Sequence, residues 1–137
     1  MTVAVAGLWE LGWSAPLTEA DLWRFMLRDL AVDQWFMAPV SGIPLAAVRE
    51  YPDMEAILDE WRGKYTVVFV DESAPVELAE FHHPENALYV FGKANGSPYD
   101  VNRCEVDLAV RISTPERKGL LWPHQAAAIV LYDRWRK

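Results

Sequence analysis

The groups in this chain that could do chemistry are few and scattered. His82 and His83 precede Pro84, and His124 stands far downstream. No cysteine or carboxylate lies at a recognisable metal-ligand spacing from them, so they read as polar loop residues and no metal is expected. Asp71 and Glu72 follow an apolar run. Carboxylates there either bind a ribose or act as bases, or they start a helix and stay solvated. Arg24 and Arg28 are i, i+4 neighbours and share one face of a helix. Read alone, Arg24 is a surface arginine paired with Asp21 or Asp29; the alternative is a phosphate or hydroxyl contact. The stretch Phe91-Gly92-Lys93-Ala94-Asn95-Gly96-Ser97-Pro98 holds two glycines but lacks the terminal Gly-Lys-Ser/Thr of a phosphate loop. On its own it is a turn, although glycine lets a ligand approach the backbone closely. No Gly-x-Ser-x-Gly elbow anchors a hydrolase triad.

The elements that must position these groups belong to a chain of 137 residues, 52% of them apolar and seven of them tryptophan. That suits a single domain, 1–137, with a substantial core. No apolar stretch approaches the roughly 20 residues of a membrane span. The start, Met1 to Ala6, lacks a basic secretory leader and reads as a first strand. The lone cysteine, Cys104, carries no catalytic signature, excludes a disulfide within the chain and fits a reducing, cytoplasmic setting. The net charge of −7 argues against a generic nucleic-acid coat. The charge is divided, however: residues 1–92 carry −10 and residues 93–137 carry +3. The basic groups therefore gather near the glycine loop.

Periodicity predicts strands at Val3–Leu8, Asp33–Met37, Tyr65–Val70, Leu88–Phe91 and Val106–Ile112. Tyr65–Val70 is apolar on both faces, as in a central parallel strand. A first helix follows Pro16, with Thr18 as its expected N-cap and Leu22, Phe25, Met26 and Leu30 as its apolar face. Asp53 caps a helix from Met54 to Arg62, and Gly63 follows its end. Gly42–Glu50 reads as a short helix or irregular connection, and Val76–Phe81 as a helical turn or two. Pro123 opens a last helix reaching Trp135, in which Ala126, Ile129, Val130 and Trp135 supply buried faces. Alternating strands and helices predict an α/β fold with a parallel sheet of five or six strands. In such sheets ligands bind at the carboxyl ends of the strands, here after Val70, Phe91 and Ile112.

The wording of the last third adds a resemblance. Leu88-Tyr89-Val90-Phe91-Gly92, then Ala109-Val110-Arg111-Ile112, then Ala126 through Tyr132-Asp133-Arg134-Trp135-Arg136 resembles the SPOUT superfamily of RNA methyltransferases. The nearest type is the small, single-domain SpoU-branch enzyme that methylates the 2′-hydroxyl of tRNA. Those chains carry a Phe-Gly-x-Glu loop, an Ile-Arg-Ile-Pro strand and an Asn-Leu-Ser-Asn-Ala helix start. The resemblance implies a parallel sheet with a C-terminal trefoil knot, and S-adenosylmethionine held by main-chain groups near Val70, Gly92, Ile112 and Leu120. It also implies a homodimer packed through the C-terminal helix. Leu22-Trp23-Arg24 falls where the family has Ile-Ile-Arg, which makes Arg24 the expected catalytic residue. Lys93, Arg111, Arg117 and Lys118 become expected contacts to an RNA backbone, with no DNA partner expected; Arg117 and Lys118 read equally well as a solvated turn.

This chain departs from that pattern at Ala94, where the family has glutamate, and at Ser113, where it has proline. Trp122-Pro123-His124-Gln125 replaces Asn-Leu-Ser-Asn. Main-chain cofactor contacts survive such changes more easily than substrate positioning does. Two readings follow: an RNA 2′-O-methyltransferase, or a knotted dimer that has lost the chemistry and binds RNA, S-adenosylmethionine or a protein. A weaker third is an unknotted α/β protein binding another nucleotide.

Overall fold

The computed structural model describes residues 1–10, 16–92, 106–116 and 121–137. The chain runs β1 (Thr2–Leu8), α1 (Pro16–Asp29), β2 (Gln34–Ala38), β3 (Arg49–Glu50), α2 (Met54–Trp61), β4 (Thr66–Val70), β5 (Val76–Glu77), a 3-10 turn (Leu78–Glu80), β6 (Asn86–Phe91), β7 (Leu108–Arg111) and α3 (Pro123–Arg136). All seven strands are parallel and form one sheet in the order β3-β2-β1-β6-β4-β7-β5. Among the described residues the sheet thus has seven strands where five or six were expected. Both extra strands, β3 and β5, are two-residue ladders at the sheet edges. Two residues are too short to carry a periodicity, so Gly42–Glu50 and Val76–Phe81 gave no strand signal.

The inner strands are apolar on both faces because both faces are covered. Alternate residues feed two cores. Val5, Val68, Tyr89, Phe91 and Val110 pack under α1 and α3, against Trp23, Leu27, Ala127, Val130 and Leu131. Ala4, Ala6, Leu8, Val67, Phe69, Leu88 and Val90 pack under α2, against Met54, Ile57 and Leu58. Asp53 caps α2 through its carboxylate, which accepts from the Ala56 N–H at 2.8 Å.

Two expected details differ. Helix α1 begins at Pro16, so Thr18 lies inside its first turn rather than at the cap. Its buried stripe is Ala20, Trp23 and Leu27, while Leu22 and Phe25 face outward at 40% and 59% exposure. The helix is apolar on more than one side, and the sheet takes the side carrying the large indole. In α3, likewise, Ala127, Val130 and Leu131 are buried, and Ile129 and Trp135 are exposed.

Candidate functional site

Strand order decides where a ligand can sit. From β1 the chain first moves outward to β2 and β3, then crosses to β4 on the far side, and only later inserts β6 between β1 and β4. The carboxyl end of β6 therefore opens at the point where the connections diverge, the usual crevice of an open α/β sheet. Val70 is level with Phe91 on one side and with Val110 on the other. Gly92, Asp71 and Arg111 lie one residue further, and Ile112 one beyond. Three of the residues expected to line a cofactor pocket, Val70, Gly92 and Ile112, thus converge on the rim of three adjacent strands, β6-β4-β7. Leu120, and with it Lys93, Ala94, Arg117 and Lys118, lies outside the described residues.

The rim is braced by main-chain and side-chain bonds. The Asp71 N–H donates to the Val110 carbonyl at 2.9 Å. Arg111 reaches back from β7, and its Nη1 donates to the carbonyls of Ala74 at 3.0 Å and Pro75 at 2.9 Å. Its Nη2 lies 3.9 Å from a Glu77 oxygen. The guanidinium, expected at an RNA backbone, is thereby engaged in holding the loop after β4.

Below the rim an aromatic cluster locks α1 and α3 to β6. Trp23 of α1 meets Phe91 edge-on at 6.2 Å and His124 of α3 at 6.4 Å, and His124 lies 6.4 Å from Trp122. Burial lowers the His124 pKa and favours the neutral ring. Gln125 closes the start of α3 by accepting the Trp122 N–H at 2.9 Å. The residues that replace the family's helix start are therefore used in packing and capping. On the β1 side, buried Glu19 accepts the Glu10 N–H at 2.9 Å. Burial pushes its pKa up; the Glu10 N–H opposes this, and the Glu10 charge adds to it. Sequence reasoning passed over Glu19, and it weighed His124 only as a metal candidate and as a departure at the helix start, because only the fold reveals the burial of the one and the packing of the other on Trp23.

Arg24 is not on this rim. Its Nη1 pairs with Asp21 at 2.5 Å, the local pairing that a reading of the helix alone suggests. It also lines a cleft of about 220 Å³ shared with Arg28, Asp33, Gln34, Trp35 and Ala47. His83 is engaged too, by Tyr89 and Asp133, each at 2.7 Å. Among the described residues no three His, Cys, Asp or Glu side chains are grouped to hold a metal ion, and no helix is long and apolar enough to cross a membrane.

An all-parallel sheet with this strand insertion, closed by a C-terminal helix on the α1 face, is an architecture shared with solved SpoU-type RNA methyltransferases. A structure solved for the 2-OH methylation of C/U34 on tRNA is similar at a TM-score of 0.73 and 15% identity, with 98% of this chain and 95% of that chain covered. An RNA 2′-O ribose methyltransferase gives 0.75 and 14%, with 98% and 56% covered. The SpoU methyltransferase AviRb from Streptomyces viridochromogenes, in complex with AdoMet, gives 0.72 and 16%, with 98% and 57% covered. This chain thus spans nearly all of the first protein and little more than half of the other two. No protein-family model and no curated protein matches the chain. At these identities the likeness is one of fold, and at that level the resemblance noted in the sequence holds.

Proposed function

We propose that this protein is an S-adenosylmethionine-dependent RNA ribose 2′-O-methyltransferase, acting on tRNA or ribosomal RNA in the cytoplasm as a single knotted domain, 1–137. The observation that carries the reading is the convergence of Val70, Gly92 and Ile112 on one rim of a sheet whose fold is shared with AdoMet-bound SpoU structures. Those positions fit the cofactor because they offer main-chain groups at strand ends, with a glycine at the central strand where a ligand approaches closest. When bound, the cofactor supplies an electrophilic methyl group. The chain's part is to align a ribose hydroxyl behind that methyl and to take up its proton. Arg111 keeps the loop after β4 in place. Lys93, Arg117 and Lys118 serve the RNA backbone, where phosphate neutralisation dominates affinity. Arg24 is the catalytic candidate; paired with Asp21 and away from the rim residues, its part in this reading is to hold an RNA phosphate rather than to touch the reacting hydroxyl. Insertion of β7 between β4 and β5, with α3 returning to the α1 face, supports a threaded C-terminus.

The homodimer reading rests on an unpartnered apolar face. Leu22 and Phe25 of α1 and Ile129, Tyr132 and Trp135 of α3 are 39–73% exposed, on two helices that pack against each other. A second copy would cover them.

Calorimetry with S-adenosylmethionine, followed by methyl transfer to bulk tRNA and ribosomal RNA, tests the proposal. Saturable cofactor binding and methylation that is lost in Arg24→Ala are the expected results. No binding at about millimolar cofactor would overturn it, since that corresponds to a binding free energy weaker than about −4 kcal/mol. The second reading, a binding protein without the chemistry, would then take its place. It is favoured by one observation: Trp122, His124 and Gln125 are committed to packing and capping where the family pattern is polar.

A further inference from the structure

We infer, on the methyltransferase reading above, that the Asp71 carboxylate gives this rim a charge preference: it favours the cationic methyl donor over the neutral thioether left after transfer. S-adenosylmethionine and S-adenosylhomocysteine differ by one methyl group and one positive charge, both on sulfur. Main-chain contacts to the adenine, the ribose and the amino-acid end are common to the two. A charged side chain near the sulfur is what separates them.

Asp71 is the first residue past β4. Because Val70 is level with Phe91 and with Val110, Asp71 stands level with Gly92 on one side and with Arg111 on the other. Neighbouring strands lie about 4.8 Å apart, so the Asp71 backbone is about 5 Å from that of Gly92. The turn that carries it is fixed. Its N–H donates to the Val110 carbonyl at 2.9 Å, and its carbonyl accepts the Ala74 N–H at 3.1 Å. The Ser73 hydroxyl donates to Oδ2, which keeps the carboxylate on the loop beyond the strand end. The residue is partly buried, neither enclosed in the core nor fully solvated.

Its charge is left uncompensated. Arg111, the cation level with it, is already engaged by the Ala74 and Pro75 carbonyls and lies beside Glu77. Among the described residues Asp71 joins no ion pair. An unpaired carboxylate at a strand end favours positive charge on a ligand. For unit charges about 7 Å apart, screening between that of bulk water and that of a protein surface makes the preference about three- to fiftyfold. Transfer breaks the S–CH₃ bond and forms a CH₃–O bond as the hydroxyl gives up its proton. The electron pair of the broken bond stays on sulfur, and the sulfonium charge is gone. The attraction to Asp71 ends at that moment, which eases release of the thioether.

Calorimetric titration of the full-length protein with S-adenosylmethionine and with S-adenosylhomocysteine, without RNA, tests this. Asp71→Asn keeps an acceptor for Ser73 and removes the charge. It should weaken the donor about three- to fiftyfold and change the thioether less than about twofold. Asp71→Glu, which keeps the charge, should retain most of the preference. Glu72→Gln, one residue further out and exposed, should leave both affinities unchanged. Equal weakening of both ligands in Asp71→Asn would place the carboxylate on a group they share. That result, donor affinity untouched in Asp71→Asn, or an equal shift in Glu72→Gln would overturn the inference and leave the methyltransferase reading standing. Failure of both ligands to bind wild type would overturn that reading and the charge preference with it.

Discussion

His83 makes the chain's stability depend on pH in a way the geometry specifies. Its side chain is 6% exposed. Nε2 lies 2.7 Å from an Asp133 oxygen, so this nitrogen carries the proton and donates. Nδ1 lies 2.7 Å from the Tyr89 hydroxyl and accepts. The Tyr89 oxygen in turn accepts from Arg134 Nη1 at 3.0 Å, which fixes the direction of its own proton toward His83. Every bond is satisfied by a neutral ring, and a second proton on Nδ1 would face the Tyr89 donor. Burial is the largest cause lowering the His83 pKa. Asp133 opposes it, and Lys137 and Arg134 add to the lowering. Asp133 is held below its usual range: burial works against its charge, but the bonds from His83 and Lys137 outweigh that.

A histidine whose folded pKa is depressed takes up its proton in the unfolded chain first. Stability is therefore complete above about pH 6.5 and falls with decreasing pH until the folded value is reached. The slope contributed is at most about 1.4 kcal/mol per pH unit, one proton's worth. His124 has the same sign and adds to it. Asp133 enters only lower, as its own folded pKa is approached. His83→Gln keeps a donor for Asp133 and an acceptor for Tyr89 but does not titrate. At pH 8 it should cost about 1–2 kcal/mol for imperfect replacement of a buried pair. Between pH 7 and 5.5 its stability should fall less steeply than that of wild type. Urea melts at half-unit steps, with His124→Gln as the companion, would measure this. Equal slopes in wild type and His83→Gln would refute the assignment of a neutral His83.

Two further outcomes follow from close packing and from the rim. A Cβ added at Gly7 would stand 3.1 Å from the Met37 sulfur and 3.2 Å from two Trp23 ring carbons, all within the core under α1. Gly7→Ala should therefore lose about 1–3 kcal/mol in a urea melt, and an unchanged midpoint would show that the Trp23 contact yields freely. Arg111→Ala frees the Ala74 and Pro75 carbonyls, and should speed amide exchange through 71–77 while costing about 1–2 kcal/mol, since the group is partly exposed. Unaltered exchange there would remove Arg111 from its loop-holding role.

What the sequence made legible was local. Asp53 and Gly63 bracket α2 because a carboxylate cap and a terminal glycine act within one turn of the backbone. β4 read as central because an apolar run on both faces has few other homes. The i, i+4 spacing of Arg24 and Arg28 already placed both on one face, and both line the cleft. What stayed hidden was whatever distant segments supply. Nothing in Trp35 itself tells that its ring would pack against both Trp9 and Trp23 with its N–H buried. His83 read as a loop histidine beside a proline, and its partners come from 6 and 50 residues away. Strand order was hidden for the same reason. That β6 inserts between β1 and β4 leaves no trace in its composition, yet the insertion carries Gly92 to the crevice between diverging connections. The recurring wording of the last third pointed to the right fold because Phe91-Gly92, Arg111-Ile112 and the start of α3 are the segments this strand order brings together. Periodicity cannot see that meeting; a family's pattern of words can, and it breaks at Trp122 to Gln125, where this chain uses its side chains to pack on Trp23 and to cap α3.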